Sequence, residues 1–326
     1  MALSWDVLAL DYDAEADRIG GELRRIIAHE CKRRGLVVAL SGGIDSSCVA
    51  ALATRALGKA KVFGIHMPER DSSAETIKLS RSVSDTFGFD SVLEEITPVL
   101  DGYGCYRRRD EAIRMVFPEF GPGWKSKIVL PGLTGGELNV YSLVVQKPDG
   151  TIEKQRLPLP AYLQIVAATN FKQRTRKTFE YYHADRLHYA VSGTPNRLEY
   201  DQGFFVKGGD GLADVKPIAH LYKTQVYAMA RHLGVPVDIC NRAPTTDTYS
   251  LAQGQDEFYF ALPYREMDLC LWGKNHGVAP AEVAPTVGLT ADQVERVYRD
   301  IDQKRATTRY LGLAPQLVGA IPEIKH

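Results

Sequence analysis

The apolar positions of this chain keep two periods in alternation. Between Ala14 and Arg34 they fall at Ile19, Leu23, Ile26, Ile27 and Cys31, the spacing of a helix with one buried face. Leu36-Val37-Val38-Ala39-Leu40 then runs apolar without a break, which predicts a strand buried on both faces. A helical run opens at Cys48-Val49-Ala50-Ala51-Leu52-Ala53. Lys61–Pro68 reads as a second buried strand, Ala74–Phe87 as a helix and Ser91–Ile96 as a third strand. Strand and helix in this alternation predict an α/β fold: a doubly wound parallel sheet with right-handed crossovers. Ligands of such sheets sit beyond the carboxyl ends of the strands. That places the turn after Leu40 and Met67-Pro68 on one edge, with His66 a packing residue at a strand end.

The turn after the first strand carries the chemistry: Ser41-Gly42-Gly43-Ile44-Asp45-Ser46-Ser47. Gly42 and Gly43 let the backbone approach an anion, and the N–H groups of a helix start point at it. Ser41, Ser46 and Ser47 add hydroxyls, and Asp45 adds a carboxylate through which a metal could bridge to phosphates. The lysine of the G-x-x-x-x-G-K-[ST] loop is missing. The stretch resembles instead the S-G-G-x-D-S loop of the N-type ATP pyrophosphatases, which split ATP between the α and β phosphates.

Beyond the third strand the rhythm breaks. Residues 103–169 read as an insertion, part hairpin and part loop. Asn139–Gln146 and Thr151–Leu157 alternate around Lys147-Pro148-Asp149-Gly150, a hairpin signal. Arg107 to Arg109 read as a solvated face. A helix runs from Ala161 through Asn170–Arg176 to about Ala184, and Tyr189–Ser192 is a short strand ending at Gly193-Thr194. The loop Gly203–Asp214 carries Lys207, Asp210 and Asp214 among glycines, as ligand-contacting loops do. Helices follow over Lys223–Leu233, stopped by Gly234-Val235-Pro236, and over Ala291–Thr308. Asp256-Glu257 and Glu266–Asp268 read as an acidic helix pair.

Composition narrows the class. A chain of 326 residues, 44% apolar and 25% charged, has ample core material. Its formal net charge of zero gives no sign of nucleic-acid or membrane binding. The five cysteines have no C-x-x-C spacing, which suits reduced thiols in a cytoplasmic enzyme. No apolar run reaches the roughly 18 residues of a membrane span.

Taken in order, the motifs resemble the ammonia-using NAD synthetases: Ser41–Ser46, Asn170-x-x-x-Arg174-x-Arg176, Gly193-Thr194 with Glu199, Gly203–Gly211, Asp214, Leu221-x-Lys223 and Pro244-Thr245-x-Asp247. The resemblance implies one ATP-pyrophosphatase amidating domain over residues 1–326. It implies that Ser41, Gly42, Gly43, Asp45, Ser46, Ser47, Thr194, Lys223 and Thr245 bind ATP. Asp45 and Glu199 would hold Mg²⁺, and Asp45, Lys223 and Glu199 would serve catalysis. Arg174, Lys207, Asp214, Gln303 and Lys304 would contact the acid substrate, deamido-NAD in the family. Gln303-Lys304 stands where the family has a His-Lys pair, and the insertion is long. A different carboxylate, such as a sugar acid or secondary metabolite, is therefore a second reading. A nucleotide-binding RNA-modifying relative is a third, disfavoured by the zero net charge and the missing cysteine pair. The lead-in before Ile19 is too short for a glutaminase domain, so the nitrogen is expected as ammonia, free or from a separate glutaminase. The resemblance also implies a homodimer.

Overall fold

The computed structural model describes residues 3–130, 141–244, 249–251, 254, 259–260, 262–319 and 321–323. Seven strands are formed among the described residues: β1 (Leu36–Ala39), β2 (Val62–His66), β3 (Asp90–Leu93), β4 (Lys125–Val129), β5 (Ser142–Gln146), β6 (Ile152–Arg156) and β7 (Ala190–Val191). The first sheet is parallel, in the order β3-β2-β1-β7. Its register sets Leu36 opposite both Val62 and Ala190, so the three strands start level and run in the same direction. Leu40–Gly43, Met67-Pro68 and Ser192–Thr194 therefore meet at one edge.

Both faces of β1 are covered, as its unbroken apolar run requires. Leu36 and Val38 pack with the helices Tyr12–Arg25, Ile44–Leu57 and Lys223–His232. Val37, with Ile65 and Val191, packs on the other side against Cys105, Tyr106 and Ala184. The helix Ile44–Leu57 is buried nearly all round, so its run of small residues is a packing requirement. A separate cluster joins the C-terminal helices Tyr264–Asn275, Pro280–Val287 and Ala291–Thr308 to Leu8 and Leu198. No helix among the described residues is long and apolar enough to cross a membrane.

The stretch 103–169 departs from the expected hairpin and loop. Its first part is a helix, Cys105–Arg114, packed on the 29-residue helix Leu159–Leu187. Helical spacing turns Cys105, Tyr106, Arg109, Ala112 and Ile113 inward. Arg107 and Arg108 are exposed as expected, but Arg109 is buried and its Nη1 donates to Asp71 Oδ2 at 2.7 Å. The hairpin exists, as β5 and β6 around a turn at Lys147–Gly150; Asn139 and Val140 lie outside the described residues. A third strand, β4, pairs antiparallel with β5. Its inward positions are Ser126 and Ile128, and a strand with only one large apolar side chain facing in gives almost no periodic signal. His66 is buried with Nδ1 3.0 Å from Ser80 Oγ, and burial beside Arg81 lowers its pKa. Asp256 and Glu257 lie outside the described residues, while Glu266 and Asp268 fall on the helix Tyr264–Asn275. All five cysteines are free, and burial raises the thiol pKa of Cys105 to about 11 and of Cys270 to about 12.

Candidate active site

The turn after β1 is built by its glycines. Gly42 has φ +71°, and a Cβ there would lie 2.8 Å from the carbonyl oxygen of Thr76. Gly43 is the N-cap of Ile44–Leu57 and no side chain caps that helix start, which leaves its N-terminal end turned to the cavity. Ser41 and Ser46 share a hydroxyl contact of 3.1 Å at the same point. Ser47 is one position further round the helix. Its hydroxyl is fully buried, donates like that of Ser46 to the Gly43 carbonyl, and does not line the cavity.

Asp45 stands at the first turn of this helix and is held from two sides. Asn196 Nδ2 donates to its Oδ1 at 2.9 Å, and the buried ammonium of Lys223 pairs with its Oδ2. Asn196 is the N-cap of the short helix Arg197–Gln202. Its Oδ1 accepts from the N–H groups of Leu198 and Glu199, and Glu199 Oε2 accepts from the Asn196 N–H in return. One asparagine thus locks the strand-end turn after β7 to the glycine turn after β1. Lys223 opens the helix Lys223–His232, and Asp268 fixes it there by accepting from the N–H groups of Lys223 at 3.1 Å and Thr224 at 2.7 Å. Burial works against the charge on Lys223, but the carboxylates of Asp45 and Glu199 outweigh it and hold the ammonium above the usual lysine range. Burial also pushes Asp268 up to about 7, against the two N–H bonds that favour its charge. The sequence places Asn196 in a polar strand-end turn and Asp268 in an acidic helix, but gives neither its role in holding Asp45 or Lys223. Asn-x-x-Glu at 196–199 carries a helix-start signal, but its amide reaches across 151 residues to Asp45.

These groups line a cavity of about 510 Å³, within the ordinary range for a small-molecule site. Ser41, Gly42, Gly43, Asp45, Ser46, Thr194, Glu199 and Lys223 form one end. Arg174 and Lys207 lie further along, where Arg174 Nε donates to the Lys207 carbonyl at 3.2 Å. Lys207 Nζ donates to the carbonyls of Tyr310 and Leu313 at 2.9 and 3.2 Å. The second sheet reaches the cavity through Tyr141, stacked on Tyr162 with ring centroids 4.5 Å apart.

Three expected contacts are not in this cavity. Asp214 accepts from the Val191 N–H at 2.7 Å and from Tyr181 Oη at 3.1 Å, bonded to the end of β7. Gln303 is exposed on the helix Ala291–Thr308. Lys304 pairs with Asp300 and donates to the Tyr259 carbonyl, both at 2.6 Å. Of Pro244–Asp247, Thr245 and its two successors lie outside the described residues.

The donor set suits Mg²⁺. Asp45 and Glu199 offer hard oxygen ligands on one wall, and among the described residues no three acidic, histidine or cysteine groups make an all-protein cage. Mg²⁺ is ordinarily held by one or two carboxylates with substrate phosphates and water completing its shell.

Comparison with known proteins agrees with this geometry. An NH(3)-dependent NAD(+) synthetase of Rhizobium meliloti is 59% identical over 326 residues, covering 100% of this chain and 97% of the relative. Two solved structures share the fold at a TM-score of 0.62, each covering 95% of this chain and 100% of its own. One is an NMN synthetase from Francisella tularensis, 20% identical. The other is an NH3-dependent NAD synthetase from Campylobacter jejuni, 18% identical, in complex with the nitrate ion. The NAD synthase family itself matches over residues 19–115 and 141–309. That match spans the glycine turn, Arg174, Glu199, Lys207 and Lys223 in one ordered frame, and the chain belongs to the NAD synthase family.

Proposed function

We propose that this chain is an ATP-dependent ligase that amidates deamido-NAD with ammonia, releasing AMP and pyrophosphate. The observation that carries the reading is the junction of the glycine turn with Asp45, Lys223 and Glu199 at one end of a cavity whose further part holds Arg174 and Lys207. A carboxylate is a poor acylating agent because oxide would have to leave. Attack by a substrate carboxylate oxygen on the α-phosphorus forms an acyl phosphate bond and expels pyrophosphate. The lone pair of ammonia then attacks the acyl carbon, AMP leaves with the carboxylate oxygen, and the nitrogen releases one proton to solvent to give the neutral amide.

The glycine turn and the Ile44–Leu57 helix start would take phosphate oxygens through backbone N–H groups, with Ser41, Ser46 and Thr194 adding hydroxyls. Lys223, kept charged by its carboxylate partners, supplies positive charge where negative charge builds on the leaving pyrophosphate. Asp45 and Glu199 would hold Mg²⁺, which supplies further charge to the phosphate oxygens. Thr245 belongs to the ATP set by resemblance. Arg174 and Lys207 would meet the acid substrate. The hydrogen bonds of Asp214 and Lys304 support a role in holding the cavity walls, and Gln303 has no part within one chain's cavity. A cytoplasmic homodimer fed with free ammonia, or by a separate glutaminase, completes the proposal.

The test is incubation with deamido-NAD, ATP, Mg²⁺ and ammonium, with chromatography of the nucleotides. The expected products are NAD and AMP with pyrophosphate. ADP as the nucleotide product, or no amide from folded protein that binds ATP, rejects the proposal.

A further inference from the structure

Four charges, those of Glu69, Arg109 and Lys172 buried and that of Asp71 nearly so, lie outside the cavity, behind the loop that follows β2, and the chemistry above uses none of them. Lys172 is 1% exposed. Its Nζ donates to Glu69 Oε1 at 2.8 Å and to Asp71 Oδ2 at 2.9 Å. Arg109 Nη1 donates to the same Asp71 oxygen at 2.7 Å, and Tyr106 Oη donates to Glu69 Oε2 at 2.6 Å. Two negative charges thus meet two positive ones, with Asp110 on the far side of Arg109. Burial opposes the charge on Asp71, yet Lys172 and Arg109 hold its pKa below the usual carboxylate range. The guanidinium of Arg70 closes the group from outside, 3.5 Å from the centre of the Tyr106 ring.

The loop presents two faces. Met67, Pro68 and Ser72 line the cavity, while Glu69 and Asp71 turn away into the network. Within the loop, the Glu69 N–H donates to Ser72 Oγ at 3.1 Å and the Ser72 N–H returns to the Glu69 carbonyl at 2.8 Å. The lysine that grips the loop sits on the helix that carries Arg174 and Arg176, and Arg176 Nε donates to the Met67 carbonyl at 3.4 Å. Well-packed apolar residues stabilise such an interior position as well as or better than ions, so stability alone gives no reason for four charges. What ions add is direction: Lys172 accepts only an arrangement that brings both carboxylates to one ammonium.

We propose that Lys172, with Arg109 and Tyr106, is a positioning residue for the nucleotide, clamping the Pro68–Ser72 loop as the wall facing the glycine turn. This rests on the reading that the cavity end at Ser41–Ser46 receives ATP.

The experiment uses the full chain, with Lys172→Met, the charge-balanced Lys172→Met/Glu69→Gln and the mild Tyr106→Phe. For each, kcat, KM for ATP and KM for the acid are measured, with ATP binding in the absence of acid. A loosened wall is expected to raise KM and Kd for ATP about tenfold or more in both Lys172 variants, in line with the cost of small misplacements remote from the chemistry. KM for the acid should stay within about twofold, and Tyr106→Phe should fall between these variants and wild type, as loss of one of several bonds to a charge would give. Should Lys172→Met alone fail to fold, the balanced variant and Tyr106→Phe carry the test. Unchanged ATP affinity in the folded variants, or a fall in kcat with both KM values intact, overturns the positioning role. Wild-type protein that forms no AMP and pyrophosphate rejects the proposed function instead, before any variant is read.

Discussion

Replacing Lys223 by methionine separates its charge from its volume. The side chain is 2% exposed and pairs with Asp45, itself 16% exposed. Removing one partner of a buried pair ordinarily costs about 3–5 kcal/mol because the other charge is left uncompensated. Asp45 keeps the Asn196 amide at 2.9 Å and some solvent, which brings the loss to or just below the bottom of that range, about 2–3 kcal/mol. For a chain of this size that corresponds to a Tm lower by about 3–4 °C. The catalytic loss is separate: one fixed charge at the developing phosphate charge is typically worth about 10²–10³ in kcat. The double variant Lys223→Met/Asp45→Asn distinguishes the two effects. With neither charge present, Tm should return most of the way to wild type, while pyrophosphate release stays at the level of the single variant or below. Thermal unfolding and a coupled pyrophosphate assay read the two quantities independently. Turnover within threefold of wild type in Lys223→Met, or recovery of activity along with stability in the double variant, would refute the assignment of Lys223 to the chemistry.

Gly42→Ala should destabilise by about 2–4 kcal/mol, adding a clash with the Thr76 carbonyl to the roughly 1–2 kcal/mol of a left-handed alanine. Gly288→Ala, with φ +69°, ψ 25° and nothing within 4 Å, should show the backbone part alone. Equal unfolding free energies for the two would remove the clash from the account. Asp268 has a folded pKa of about 7, above the ordinary value near 4, so the folded chain retains a proton that the unfolded chain releases between them. Stability should therefore fall as pH rises through that window, by up to about 1.4 kcal/mol per pH unit relative to Asp268→Asn. Parallel urea-unfolding profiles of the two proteins from pH 4.5 to 6.5 would contradict it. Gln303→Ala should leave kcat and both KM values unchanged and alter stability by no more than about 0.5 kcal/mol, as for most exposed positions. A raised KM for the acid would return Gln303 to the substrate site.

Local physics made much of this protein legible in its sequence. The strand, glycine turn and helix from Leu36 to Leu57 are encoded within reach of one another: an unbroken apolar run, a residue that tolerates φ +71° and a run of small helix formers. Ala74–Phe87 and Ala291–Thr308 appear at their expected bounds because caps such as Ser73 and Thr290 state where each begins. The Lys147–Gly150 turn likewise fixed its hairpin. What the tertiary structure alone decided are the meetings across distance and the choice of face. Asp45 and Lys223 are 178 residues apart, and Glu69 and Lys172 are 103 apart. No periodicity in either segment reports on the other, since the sheet register and helix packing bring them together. Ser46 and Ser47 are chemically alike in the sequence and both donate to the Gly43 carbonyl, yet about 100° of helical rotation leaves Ser46 on the cavity wall beside Ser41 and takes Ser47 off it. Asp214 reads as a ligand contact from its place in a polar loop, and only the fold shows its carboxylate bonded to the backbone of β7. Arg109 was read with its neighbours as solvated, because a run of three arginines cannot show which one a helix will turn inward to a buried carboxylate.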